Sequence, residues 1–125
     1  VSSLILANRI LGFVNAPAIA QKLVAACIHS AVALEIYRSR RDAMAEVLTR
    51  SGIEFALPQG AFYFFAKCPT MDDKAFVRKL LSERILAVPG SGFGKPGYIR
   101  LAFCVPETVI RNAADGFAAV MKGRL

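Results

Sequence analysis

A chain of 125 residues has room for one domain with a core, and a composition that is 55% apolar and 20% charged excludes a disordered segment. The net charge of +7 favours anionic ligands, but no basic stripe with interleaved aromatics accompanies it, so no nucleic-acid surface is expected. No apolar run nears the ~18 residues of a membrane span, and no cationic segment with a long apolar stretch marks a signal peptide.

In chain order, the first segment is apolar but aperiodic, interrupted by Asn8, Arg9, Asn15 and Pro17. It reads as loops around a short strand from Ile10 to Val14. Pro17 then suits the first turn of a helix. From Ala18 to Arg50, Leu23, Cys27, Leu34, Tyr37, Met44 and Leu48 recur at helical steps, and Gly52 supplies the stop. The pattern exceeds 25 residues, which predicts a break near Ser30. The triplet Arg38, Arg40 and Arg41 falls on this helix as a solvated face.

Two strands are expected next, Ile53 to Leu57 and Ala61 to Lys67, joined by the turn Pro58-Gln59-Gly60 and able to pair as a hairpin. Phe62, Tyr63, Phe64 and Phe65 in succession predict a strand buried on both faces. A helix from Asp72 to Arg84 follows, with Thr70 or Asp72 as cap and Phe76, Val77, Leu80 and Leu81 inward. A short strand, Ile85 to Val88, leads into a Gly/Pro-dense loop and a strand from Tyr98 to Val105. Pro106-Glu107 opens a last helix, with Val109, Ile110, Ala113, Phe117, Val120 and Met121 inward. Paired strands separated by helices give an α+β fold, a small mixed or antiparallel sheet packed against helices.

The sharpest chemical signal is Val88-Pro-Gly-Ser-Gly-Phe-Gly-Lys-Pro-Gly-Tyr-Ile-Arg-Leu-Ala-Phe103. Alternation puts Tyr98, Arg100 and Ala102 on one face of the strand and Ile99, Leu101 and Phe103 on the other. A guanidinium held beside a tight loop can grip a carboxylate through two parallel hydrogen bonds. The alternative is an ion pair with an acid such as Glu54 or Glu107. The glycine loop is neither a P-loop nor a dinucleotide fingerprint, because no Gly-Lys-Ser/Thr closes it and a strand follows it.

Other candidates have structural explanations. Cys27, Cys68 and Cys104 are widely spaced without a zinc pattern; Cys27 and Cys104 lie in apolar runs that suit buried thiols, and a reducing cytoplasm is the natural compartment. None has an evident base, since the lone His29 falls within the long helical pattern. Asp72 and Asp73 read as helix-capping acids. No complete catalytic set is present, and no metal site is expected.

Pro58-Gln-Gly-Ala-Phe-Tyr-Phe-Phe65, Val88-Pro-Gly-Ser-Gly-Phe-Gly94 and Gly97-Tyr-Ile-Arg-Leu-Ala-Phe103 together resemble, in order and spacing, the carboxy-terminal part of class I and II aminotransferases. These are pyridoxal-phosphate enzymes of fold type I. The resemblance covers the whole chain. It implies that residues 1–18 are a remnant of the large cofactor domain and that residues 19–125 form the small domain with the long interdomain helix. It implies that Arg100 binds the α-carboxylate of the substrate, that Arg9 holds the cofactor phosphate, and that Gly60 and Gly90 shape the domain that closes over the substrate.

The same register places Val1 where the family has its Schiff-base lysine, so no catalytic residue is assigned. The aromatic that stacks on the cofactor ring and the aspartate that pairs its nitrogen also have no counterpart here. The resemblance therefore implies a parent enzyme that uses pyridoxal 5'-phosphate to exchange an amino group between an amino acid and a 2-oxo acid. The chain alone is expected to be inactive and without bound cofactor, and its apolar amino-terminal part to favour a homo-oligomer. A C–S lyase or decarboxylase of the same fold type, or a non-catalytic module reusing the fold, are the alternatives.

Overall fold

The computed structural model describes residues 1–12 and 16–123. It divides into two compact units, Val1–Val32 and Ala33–Leu125. The first carries two nine-residue helices, α1 (Ser2–Ile10) and α2 (Ala18–Ala26), neither with a buried residue. Pro17 stands at the N-cap of α2, where its missing N–H costs nothing. The strand expected from Ile10 is not formed: Ile10 ends α1, and Phe13 and Val14 lie outside the described residues. Leu4, Ile5 and Leu6 follow Ser2 and Ser3 without a β-type alternation, so local helix formation wins.

The second unit holds the core. Its first helix, α3 (Leu34–Arg50), is separate from α2, so the long helical pattern breaks around Ser30 as its length requires. Its fully buried residues, Ala43, Met44, Val47 and Leu48, all lie in its second half, with Tyr37 of the first half partly buried against the same core. Leu23, Cys27 and Leu34, which share the sequence stripe, are exposed. Gly52 ends α3 with φ +69°, and the Gly52 and Ile53 amides donate back to the Thr49 and Leu48 carbonyls.

Three strands form one antiparallel sheet in the order β1 (Tyr63–Lys67), β3 (Tyr98–Ala102), β2 (Val88–Pro89). The segment from Ile53 to Leu57 is reduced to a bridge, Phe55 opposite Ala66, with the Lys67 amide on the Glu54 carbonyl at 2.8 Å. β1 is buried on one face only, not on both. Phe64 and Ala66 point inward while Tyr63 and Phe65 are half-buried. On β3, Ile99 and Leu101 are buried and Tyr98 and Arg100 half-buried, with Phe103 inward just beyond the strand, as alternation predicts.

The inner sheet face packs with α4 (Asp73–Ser82), α3 and the carboxy-terminal helices α5 (Glu107–Asn112) and α6 (Ala114–Lys122) around one cluster containing Phe64, Ile99, Leu48, Leu80, Ile110 and Phe117. Phe64 meets Phe55 and Phe103 edge-on at 5.2 and 5.6 Å between centroids. Asp72 caps α4, its carboxylate accepting from the Ala75 amide at 2.8 Å. The single last helix expected from Pro106 is two, joined at Ala113. Val109 faces outward, against expectation, while Ile110, Phe117, Val120 and Met121 are buried. Among the described residues no helix is long and apolar enough to cross a membrane.

Candidate functional site

Arg100 stands on the central strand, on the sheet face away from the helices. Its Cα is registered opposite Phe65 on β1 and Val88 on β2, so ladders on both sides fix the root of the side chain. The guanidinium carbon lies 4.4 Å from the Tyr63 ring centroid and 4.3 Å from that of Phe93. Both are cation–π distances, and two rings restrict where a flexible side chain can point. Phe65 meets Phe93 edge-on at 5.8 Å, so one of the two rings that frame this half-buried cation is itself packed against the sheet.

Neither acid considered for an ion pair is its partner. Glu54 takes the Lys67 ammonium at 2.8 Å, and this hydrogen bond, followed by the Coulomb attraction, raises the Lys67 pKa. Glu107 accepts from the Ser39 hydroxyl at 2.5 Å and pairs with Arg111 at 2.8 Å. The Ser39 hydroxyl first, then Arg111, lowers the Glu107 pKa. Among the described residues Arg100 makes no salt bridge.

The loop beside it is built for close approach. Residues Gly90–Phe93 form a single 3-10 turn that Gly94 leaves in the left-handed region, φ +73°. A Cβ on Gly90 would sit 2.4 Å from the Lys95 carbonyl oxygen and 2.7 Å from that of Tyr98. Both are backbone atoms of the segment that becomes β3, so only glycine lets the loop press against the strand. Asp73, at the start of α4, is buried and accepts a hydrogen bond from the Ser91 amide at 2.7 Å.

The remaining candidates separate. Arg9 lies in the last turn of α1, exposed, and belongs to the other unit. His29 is exposed in the turn after α2 rather than within a helix. All three cysteines are free; Cys27 and Cys104 are exposed, not buried as their apolar runs predict, and Cys68 is buried. Burial, reinforced by the Asp73 carboxylate, pushes the Cys68 thiol up to about 11, far from a nucleophile's range. Among the described residues no cluster of His, Cys, Asp and Glu could hold a metal ion. The sequence reading missed Asp73 as a loop anchor, because two adjacent acids before a helix also satisfy its positive end. It also missed the rings of Tyr63 and Phe93 as neighbours of Arg100, although alternation from Arg100 and an aromatic inside a glycine loop were signals for both.

Residues 5–117 match the family model for aminotransferase class I and II. The chain belongs to this family. The aspartate aminotransferase of Thermotoga maritima is 36% identical over 92 residues, 73% of this chain and 24% of that protein. A solved aminotransferase from Eubacterium rectale superposes with a TM-score of 0.79 at 36% identity, covering 94% of this chain and 30% of the other. Aspartate aminotransferase from Thermus thermophilus, solved with maleate, gives a TM-score of 0.66 at 35% identity over 69% of this chain and 23% of the other. The chain thus spans about a quarter of the length of the curated relatives it matches.

The aminotransferase class I and II family uses pyridoxal phosphate. Among the described residues, the donors do not by themselves fit that cofactor. Arg9 is a single exposed cation on α1, a helix without a buried residue, and an isolated exposed cation does not enclose a ligand.

Proposed function

We propose that this chain is the substrate-carboxylate half of a pyridoxal-phosphate aminotransferase that moves an amino group between an amino acid and a 2-oxo acid. The observation that carries the reading is Arg100, which is half-buried on the central strand, framed by Tyr63 and Phe93 and without a salt bridge among the described residues. A guanidinium in that state binds a planar carboxylate with two parallel hydrogen bonds. Family membership and the aspartate aminotransferases among the relatives support the same ligand class.

In this reading residues 1–18 belong to a cofactor domain and residues 19–125 to the small domain. Arg9 contributes to the phosphate site, whose other groups lie in the part of the relatives' length that this chain does not match. The exposed apolar helices of the first unit favour a homo-oligomer, and three unpaired thiols suit the cytoplasm.

Maleate is a suitable probe, because a relative was solved with it. Titrating maleate into nitrogen-15-arginine-labelled protein is expected to move the Arg100 Nε resonance saturably. R100K, which keeps the charge but not the fork, should weaken binding by about tenfold. A resonance that does not move, or an unchanged affinity in R100K, overturns the carboxylate assignment. Pyridoxal phosphate with borohydride should label no lysine stoichiometrically. One lysine labelled in full would show that the chain holds the cofactor unaided.

A further inference from the structure

We propose that Asp73 is a positioning residue for Arg100, acting through the backbone of the glycine loop; the proposal rests on the carboxylate reading above for its functional consequence, though not for its geometry. Four contacts form the link. The Asp73 side chain, 3% exposed, accepts from the Ser91 amide at 2.7 Å. Ser91 is the second residue of the turn Gly90–Phe93, whose first amides have no partner within the turn. The turn is closed at its other end by the Lys95 amide on the Gly90 carbonyl at 3.0 Å and the Gly94 amide on the Ser91 carbonyl at 3.3 Å. Phe93, fixed at the end of that turn, sets its ring 4.3 Å from the Arg100 guanidinium.

Helix capping does not explain Asp73. The cap of α4 is already supplied by Asp72 through the Ala75 amide. An acid in the first turn of a helix ordinarily points into water, where it meets the positive end of the dipole at no desolvation cost. Burying a carboxylate is costly unless its hydrogen bonds are made, and here the bond made is to the loop. The loop has no slack on its other side, because Gly90 is already at the closest approach to the Lys95 and Tyr98 carbonyls. The turn is therefore held between a helix start and the central strand, and the ring that frames the guanidinium inherits that position.

The test compares D73A with D73N, which retains an acceptor oxygen, in the 125-residue protein. Three signals are read: Ser91 amide exchange, the ring-current shift of the Arg100 Nε proton, and maleate affinity. In D73A, Ser91 exchange should accelerate by at least about tenfold, the ring-current shift should collapse, and maleate should bind roughly tenfold more weakly. D73N should restore all three. F76L, which trims the core side of the same helix, controls for stability alone and should leave the Arg100 signal and maleate affinity unchanged.

A folded D73A with wild-type Arg100 signals overturns the proposal, as does an F76L variant that reproduces the D73A changes. If D73A does not fold, F93L decides. Phe93 is half-exposed, and its loss should weaken maleate several-fold while Ser91 stays protected. Unchanged maleate binding in F93L overturns the proposal. Failure of the carboxylate reading is distinct: wild-type protein then ignores maleate, and Ser91 exchange with the Arg100 ring-current shift still decides the role of Asp73.

Discussion

Arg84 closes α4 in the left-handed region, φ +59°, where Gly52 closes α3 with the same pair of hydrogen bonds. The Arg84 and Ile85 amides donate to the Leu81 and Leu80 carbonyls at 2.9 Å. An L-residue there carries a strain of roughly 1–2 kcal/mol, partly offset by the greater freedom glycine has in the unfolded chain. R84G should therefore raise stability by about 0.5–1 kcal/mol in denaturant melts, whereas G52A should lower it. Gly90 and Gly92 form a second contrast. G90A meets two backbone oxygens and should lose roughly 1–3 kcal/mol, while G92A meets nothing within 4 Å and should be near neutral. Cys68 gives a pH signature. Its folded thiol keeps a proton to about 11 that the unfolded chain releases near 9.0. Stability is thus intact below 9.0 and falls as pH rises toward 11, and C68A should flatten that fall in thermal melts against pH. Iodoacetamide at neutral pH should label Cys27 and Cys104 and spare Cys68.

Elements were legible where a local rule and the tertiary fold agree. β3 alternates cleanly, Asp72 precedes its apolar run, and Gly52 follows the last periodic residue of α3, so each announces itself. The placement of Arg100 on the open face was legible for the same reason: a lone charge on an alternating strand stands out. Elements misread were those whose environment decides them. The aromatic run of β1 looks doubly buried, yet Tyr63 and Phe65 serve the open face where Arg100 lies. Ile53–Leu57 has strand composition but pairs only at Phe55, since Pro58 soon ends its extended course. Val109 satisfies the helical period but falls on the short α5, before the joint at Ala113 resets which face is inward. The Asp73–Ser91 bond spans 18 residues and follows no spacing rule, so no reading of the sequence alone could show it.

At the scale of the molecule, the whole buried cluster, from Ala43 to Met121, lies in the second unit. The first unit exposes Leu4, Ile10, Leu11, Ile19, Leu23 and Ile28. Apolar surface of that extent drives association. Sedimentation should show concentration-dependent self-association of the full chain. Residues 33–125 alone should remain monomeric and keep the cooperative melting transition. Persistence of the association after this truncation would place the contact in the second unit instead. The central position of β3 has a further consequence for how this protein can change. Side chains alternate with a period of two, so a single codon lost or gained within Tyr98–Ala102 would turn the guanidinium into the apolar interior and bring Ile99 or Leu101 out. Substitutions can therefore drift at the exposed loop tip, while the length of this strand cannot change by one residue without loss of both the core and the placement of Arg100 on the open face.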